Sequence, residues 1–259
     1  MEQPHRHRHQ KNSSSSRPPP PRWWTKETIA IVTGANKGIG FALVKKLACL
    51  GITVILTCRN PERGMEAVVN NAAVAFNEVN GNSVDSAETV INTNYQGTKR
   101  LTQALLPFFR RSSTVSRILN VTSRLGHINK LKNSRFVAML QGEGLSEAEV
   151  DAMVFSFLSD MKDGTWRVKG WPEVWTDYAV SKLALNSYSK ILAKRNVGFG
   201  LSVNCYCPGF TRTSMTGGVG KRTADEAAAT TAMIVLLQPE ELPTGVFFAG
   251  CDPVINSRL

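Results

Sequence analysis

Short runs of consecutive apolar, β-branched residues alternate along the chain with stretches whose apolar positions recur every three or four residues. The first run, Ile29-Ala30-Ile31-Val32, is continuous, as suits a strand buried on both faces of a parallel sheet. It leads through Thr33-Gly34-Ala35-Asn36-Lys37-Gly38-Ile39-Gly40 into an amphipathic helix over 41–50 that Gly51 closes. A second buried strand is predicted over 52–58, and Asn60-Pro61 opens a helix that barely begins. Ala67-Val68-Val69 is a strand stub before the turn Asn70-Asn71-Ala72-Ala73. A long helix is predicted over 84–111, shortened or kinked at Pro107. Strands are predicted over 116–123, 201–206 and 246–249, and helices over 173–195 and from Thr223 to Leu237. Ser146 to Glu149 and Thr223 to Glu226 both have capping-box spacing. Strands alternating with helices predict an α/β fold, a doubly wound Rossmann-type, mostly parallel sheet with helices on both faces.

The glycine turn after the first strand suits a dinucleotide pyrophosphate. Gly34 takes the tight turn, Gly38 lets backbone approach a phosphate, and Gly40 lets the new helix pack on the strand, while the helix N-terminus offers free N–H donors. Alone, such a turn is also an ordinary strand-to-helix corner.

Composition narrows the picture. A length of 259 residues suits one domain, here 25–259, behind a tail at 1–24 that carries His-Arg repeats, four serines and the run Pro18 to Pro21 and predicts disorder. The net charge of +11 suggests nucleic acid, but six of the 31 basic residues lie in the first 26 positions and no nucleic-acid motif accompanies them, so nucleic acid is not an expected partner. No apolar stretch is long enough for a membrane span. The tail weakly resembles a plastid transit peptide, but five cysteines without metal-ligand spacing predict a reducing, cytoplasmic setting and no metal site. Cys205 and Cys207 are either a redox pair or neighbours on one sheet face.

Tyr178-Ala-Val-Ser-Lys182 places a phenol and an ammonium four residues apart on one helix face. A nearby ammonium is expected to lower the phenol pKa into a range useful for proton transfer. Ser123 ends a strand, at the edge of the sheet where ligands bind. Asn94 lies in the long helix, Asn71-Ala72 in the asparagine turn, and Pro208-Gly209-Phe210-Thr211-Arg212-Thr213 after a strand.

This set, in this order, resembles the short-chain dehydrogenase/reductase family. Within it, Trp23-Trp24-Thr-Lys-Glu, Cys58-Arg-Asn-Pro-Glu-Arg-Gly64 and Pro243-Thr-Gly-Val-Phe-Phe248 resemble the plant menthone reductase and salutaridine reductase group. The resemblance implies a Rossmann domain that reduces a small apolar carbonyl, terpenoid-like or alkaloid-like, with a nicotinamide dinucleotide. Tyr178 would be the general acid/base, Lys182 its electrostatic partner and ribose ligand, Ser123 the carbonyl's hydrogen-bond partner, and Asn94 the holder of a relay water. Gly34, Asn36, Lys37, Gly38, Ile39, Gly40, Asn71, Ala72, Pro208, Gly209, Thr211 and Thr213 would line the cofactor. Arg59, at the end of the second strand, suits a ribose 2′-phosphate, so NADPH is the expected cofactor, with Lys37 as a second cation. The segment 129–171 resembles an insertion folded over the active site and over a surface used elsewhere for dimerisation, which implies a monomer. Its Phe136, Met139, Leu145, Met153 and Phe157 either line an apolar cleft or form a small core.

One interval departs from the family. Thr33 and Asn70 are 37 residues apart where members place some seventy, so about one βαβ unit is missing, and the second strand is expected to become an exposed apolar edge. Two functional classes follow: an active carbonyl reductase, or a shortened variant that binds cofactor or partners without turnover.

Overall fold

A computed structural model of the chain describes residues 22–25, 27–57, 71–76, 83–109, 116–250 and 255–259. Strand β1 (Ile29–Thr33) turns into helix α1 (Gly38–Cys49), and β2 (Thr53–Thr57) returns parallel to β1 with Ile29 opposite Thr53. Gly51 closes α1 as expected, at a left-handed φ of 80°, with its N–H bonded to the Ala48 carbonyl. The expected strand stub and the Asn60-Pro61 helix start lie outside the described residues.

The predicted helix over 84–111 is composite. Helix α2 (Val84–Ile91) runs into a π-helical segment (Asn92–Gly97) and then α3 (Thr98–Leu105), and Pro107 sits in a final 3₁₀ turn (Leu106–Phe108). An i, i+4 pattern does not reveal a locally widened turn, which is why the sequence reads as one helix.

Beyond it come β3 (Ser116–Val121), α4 (Ser134–Gln141), α5 (Glu147–Lys162), α6 (Thr176–Arg195), β4 (Leu201–Cys207), α7 (Ala224–Val235), β5 (Val246–Ala249) and β6 (Ile255–Arg258). The predicted capping boxes open α5 and α7. Helix α6 starts three residues later than expected because Trp175 adopts a left-handed backbone, φ 49° and ψ 54°. Strand β6 was not expected; it pairs antiparallel with β5.

Among the described residues the strands form two ladders rather than one sheet: parallel β1-β2, and β3-β4-β5-β6 with its first three strands parallel. Residues 71–76 run beside β1, where the Asn71 and Ala72 N–H groups donate to the Thr33 carbonyl and hydroxyl at 2.5 and 2.9 Å. Ile29 and Ile55 are 60% and 47% exposed, and among the described residues β2 pairs with β1 alone.

Helices cover both faces. On one side α1 and α7 pack through Leu43, Leu47, Ala228 and Ala232 against Val32. On the other, α2, α5 and α6 share a core with Ile118 and Val203. The segment before α6 is helical, and its apolar residues form that core rather than a cleft. Phe136, Met153 and Phe157 are buried with Trp171, while Met139 and Leu145 pack around them. A half-buried ionic cluster pins the segment down: Lys99 Nζ lies 2.7 Å from Asp151 and 3.3 Å from Glu147, and the Tyr95 hydroxyl donates to Asp151 at 2.7 Å.

Trp23 and Trp24, which the sequence places in the tail, are seated on the body. Their indoles donate to the carbonyls of Leu236 and Leu50, and the Arg117 guanidinium stacks 3.6 Å from the Trp23 ring.

Candidate active site

The carboxyl ends of β1, β3 and β4 open on a cavity of about 950 Å³. It lies where open parallel sheets bind ligands, and it is lined from both halves of the fold. Thr33, Gly34, Asn36, Lys37, Gly38 and Ile39 enter from the first turn, Asn71 and Ala72 from the adjoining segment, Ser123 from the end of β3, and Tyr178 and Lys182 from α6. Pro208, Gly209, Thr211 and Thr213 enter beyond β4.

Gly34 has φ 67°, and a Cβ there would lie 2.6 Å from the Ala72 Cα; one on Gly40 would lie 2.9 Å from both the Ala35 Cα and the Asn71 Nδ2. Gly40 therefore serves packing beneath the cavity rather than its lining. Lys37 precedes α1 with extended backbone, no side chain caps the helix, and no acid occupies its first turn. That end is left to an anion, and the uncapped N-terminus and glycine cradle fit a dinucleotide phosphate. Arg59 lies outside the described residues.

Ser123, Tyr178 and Lys182 meet at this cavity, but the electrostatics differ from the expectation. The Ser123 and Tyr178 side chains both line the cavity, and the Ser123 hydroxyl accepts from the Leu125 N–H at 3.1 Å. Burial, with a smaller push from Cys207, raises the Tyr178 phenol well above its ordinary value, and the Ser123 hydroxyl only partly opposes this. The expected lowering by lysine is absent in the protein alone, because Lys182 Nζ donates to the Val121 carbonyl at 2.9 Å and stands 5.4 Å from the Tyr178 ring centre. Tyr178 is thus held protonated through neutral pH. A Cβ on Gly126 would lie 2.5 Å from the Lys182 backbone carbon, so a glycine there lets the turn after β3 reach α6.

Lys182 is 2% exposed, and burial lowers its pKa from 10.5 to about 8. Between those values the unfolded chain binds more protons than the folded one, so stability rises with pH across that window and falls toward its lower end. Urea titrations from pH 8 to 10.5 are expected to show a gain approaching about 1.4 kcal/mol per pH unit from this group. In Lys182→Met that contribution to the slope should vanish.

Asn94 does not line the cavity. Its amide donates to the Val74 carbonyl at 2.9 Å and to Ser181 Oγ at 3.1 Å, and its Oδ1 accepts from the Val74 N–H at 2.8 Å. Ser181 Oγ in turn donates to the Tyr178 carbonyl at 2.7 Å. Asn94 thereby clips the segment at 71–76 to the Tyr178 turn of α6.

Cys205 and Cys207 are free and buried on one face of β4 with Phe247 and Ala249, the sheet-face alternative; Cys207 also borders the cavity. Sequence reading missed the apolar part of the wall: Leu101, Leu125, Val174, Trp175, Phe210 and Met215. Phe210 sits between Gly209 and Thr211, both singled out for the cofactor, a proximity that was available as a signal. No helix among the described residues is long and apolar enough to cross a membrane.

A glycine turn feeding an uncapped helix, facing a Ser-Tyr-Lys group across one cavity, defines a nucleotide-dependent oxidoreductase of Rossmann type. The short chain dehydrogenase profile matches residues 28–68. Salutaridine reductase of Papaver bracteatum is 32% identical over 86% of this chain and 94% of its own length, and (+)-neomenthol dehydrogenase of Arabidopsis thaliana is 30% identical over 85% and 95%. The solved structure of salutaridine reductase from Papaver somniferum superposes with a TM-score of 0.78 at 28% identity, covering 86% of this chain and 100% of that one. The chain belongs to the short-chain dehydrogenase family. The first alignment spans 298 positions while using 86% of a 259-residue chain, so the relative carries stretches with no counterpart here.

Proposed function

We propose that the protein is an NADPH-dependent carbonyl reductase, converting a small apolar ketone or aldehyde to an alcohol or running the reverse. The observation that carries this reading is the single cavity shared by the glycine turn and by Ser123, Tyr178 and Lys182. A relative named for its use of NADPH, carbonyl reductase 1 of Mus musculus, is 31% identical over 85% of this chain.

The bound nicotinamide would supply or take up the hydride. Ser123 hydrogen-bonds the substrate carbonyl oxygen, and Tyr178 gives that oxygen its proton, a role its raised pKa favours in the reducing direction. Lys182 holds positive charge beneath the site and binds the nicotinamide ribose. Asn94 keeps the Tyr178 turn in register; the relay water assigned to it belongs to the same proposal. Lys37 at the turn and Arg59, two residues beyond β2 in the sequence, take the 2′-phosphate. Helix α5 covers faces of α2 and α6, which supports a monomer, and the free thiols of Cys49, Cys205 and Cys207 suit the cytoplasm.

The test is NADPH oxidation by the purified protein with a menthone-like ketone. Arg59→Ala should weaken NADPH binding far more than NADH binding, and equal losses would remove Arg59 from cofactor selection. A second reading, a shortened variant without turnover, is favoured by the stretches of the relatives missing here. A folded protein showing neither cofactor binding nor ketone reduction would establish it.

A further inference from the structure

The apolar wall beside Tyr178 carries an outlier. Trp175 is the one non-glycine residue with positive φ among the described residues, and a bulky aromatic is poorly suited to that conformation. Such a geometry persists only where the surroundings impose it. Here the Trp175 carbonyl accepts the first helical bond of α6, from the Ala179 N–H at 2.7 Å. The buried Asp177 carboxylate accepts from the Tyr178 N–H at 2.6 Å. Upstream, Trp171 is locked in the core. The chain is therefore held at both ends of a turn that glycine would make without strain.

The result is placement of an indole. Its ring stands nearly perpendicular to that of Tyr178, at 83° with centres 5.8 Å apart, and Trp175 lines the cavity with Val174, Leu125 and Met215. A carbonyl whose oxygen reaches the Tyr178 hydroxyl occupies the cavity that this ring walls. A flat or chair-shaped ring makes continuous contact there, whereas an open chain must lose internal rotations to do so.

We propose that Trp175 is the specificity-determining residue of the site, a fixed aromatic wall that selects cyclic ketones over open-chain ones. The proposal rests on the carbonyl-reductase reading, but its test need not involve turnover. Binding of methylcyclohexanone and of heptanone, each of seven carbons, is measured by ligand-observed NMR in the presence of NADP, on wild type, Trp175→Phe and Trp175→Gly. Wild type should favour the cyclic ketone. Trp175→Gly should weaken it about tenfold, the equivalent of one lost ring contact, and leave the open-chain ketone within about twofold. Trp175→Phe should retain most of the preference.

Thermal unfolding supplies the control, because glycine accepts this backbone freely: Trp175→Gly should melt no lower than wild type. Equal weakening of both ketones, an unchanged preference, or a lower melting temperature with loss of both ligands overturns the assignment and makes Trp175 a packing residue. Selective ring binding without NADPH oxidation would overturn the reductase reading and leave this one standing.

Discussion

Replacing Tyr178 with phenylalanine is expected to lower ketone reduction by about 10²–10⁴-fold, the range that a positioned proton donor contributes. The substitution removes one oxygen and keeps the ring that packs against Trp175, so the fold and the cavity should persist. NADPH binding, followed by nucleotide fluorescence, should change little. Because burial holds the phenol protonated, the reduction rate of wild type should not decline between pH 6 and 8 through loss of this proton. A rate that survives Tyr178→Phe within a few-fold would transfer the proton donation to another group or to water.

The second large effect concerns stability. Phe157 is fully buried on α5, edge-on to Trp171 with ring centres 5.3 Å apart, in the core that also holds Val180, Leu183 and Ala184 of α6. Phe157→Ala should cost about 3–5 kcal/mol, read as a shift in the urea midpoint, because the rigid helices around it cannot close the cavity. Its activity at low temperature should stay near that of wild type, since the substitution lies behind α6 and not in the lining. If Phe157→Ala instead spared stability and raised the KM for ketone, the residue would belong to a cleft after all.

Which parts were legible follows from how local their causes are. The β1 turn, the Gly51 cap and the two capping boxes depend on residues within four positions of each other, and all stand where the sequence puts them. The Tyr178-Lys182 spacing likewise needs only a helix. The electrostatics of that pair did not follow, because they depend on the depth of the pocket and on the Val121 carbonyl, which lies 61 residues from Lys182. The π segment and the left-handed Trp175 were hidden for another reason. Both arise from tertiary constraint acting against local preference, and neither asparagine nor tryptophan announces it. The apolar residues of 129–171 show the residual ambiguity: an amphipathic pattern says that a face is buried, not whether protein or ligand buries it.

The π segment also bears on how the chain tolerates changes in length. Each extra residue in a helix rotates everything beyond it by about 100°, so removing one residue from Asn92–Gly97 would restore an α-helical register and swing either Asn94 or the Tyr95-Lys99 face out of alignment. The clip to Val74 and Ser181 and the anchorage to Asp151 could not both survive that rotation. A relative carries whole stretches with no counterpart in this protein, whereas loss of a single residue here is expected to unseat one of these two attachments. Dispensability is thus decided by angular phase rather than by the amount of chain lost.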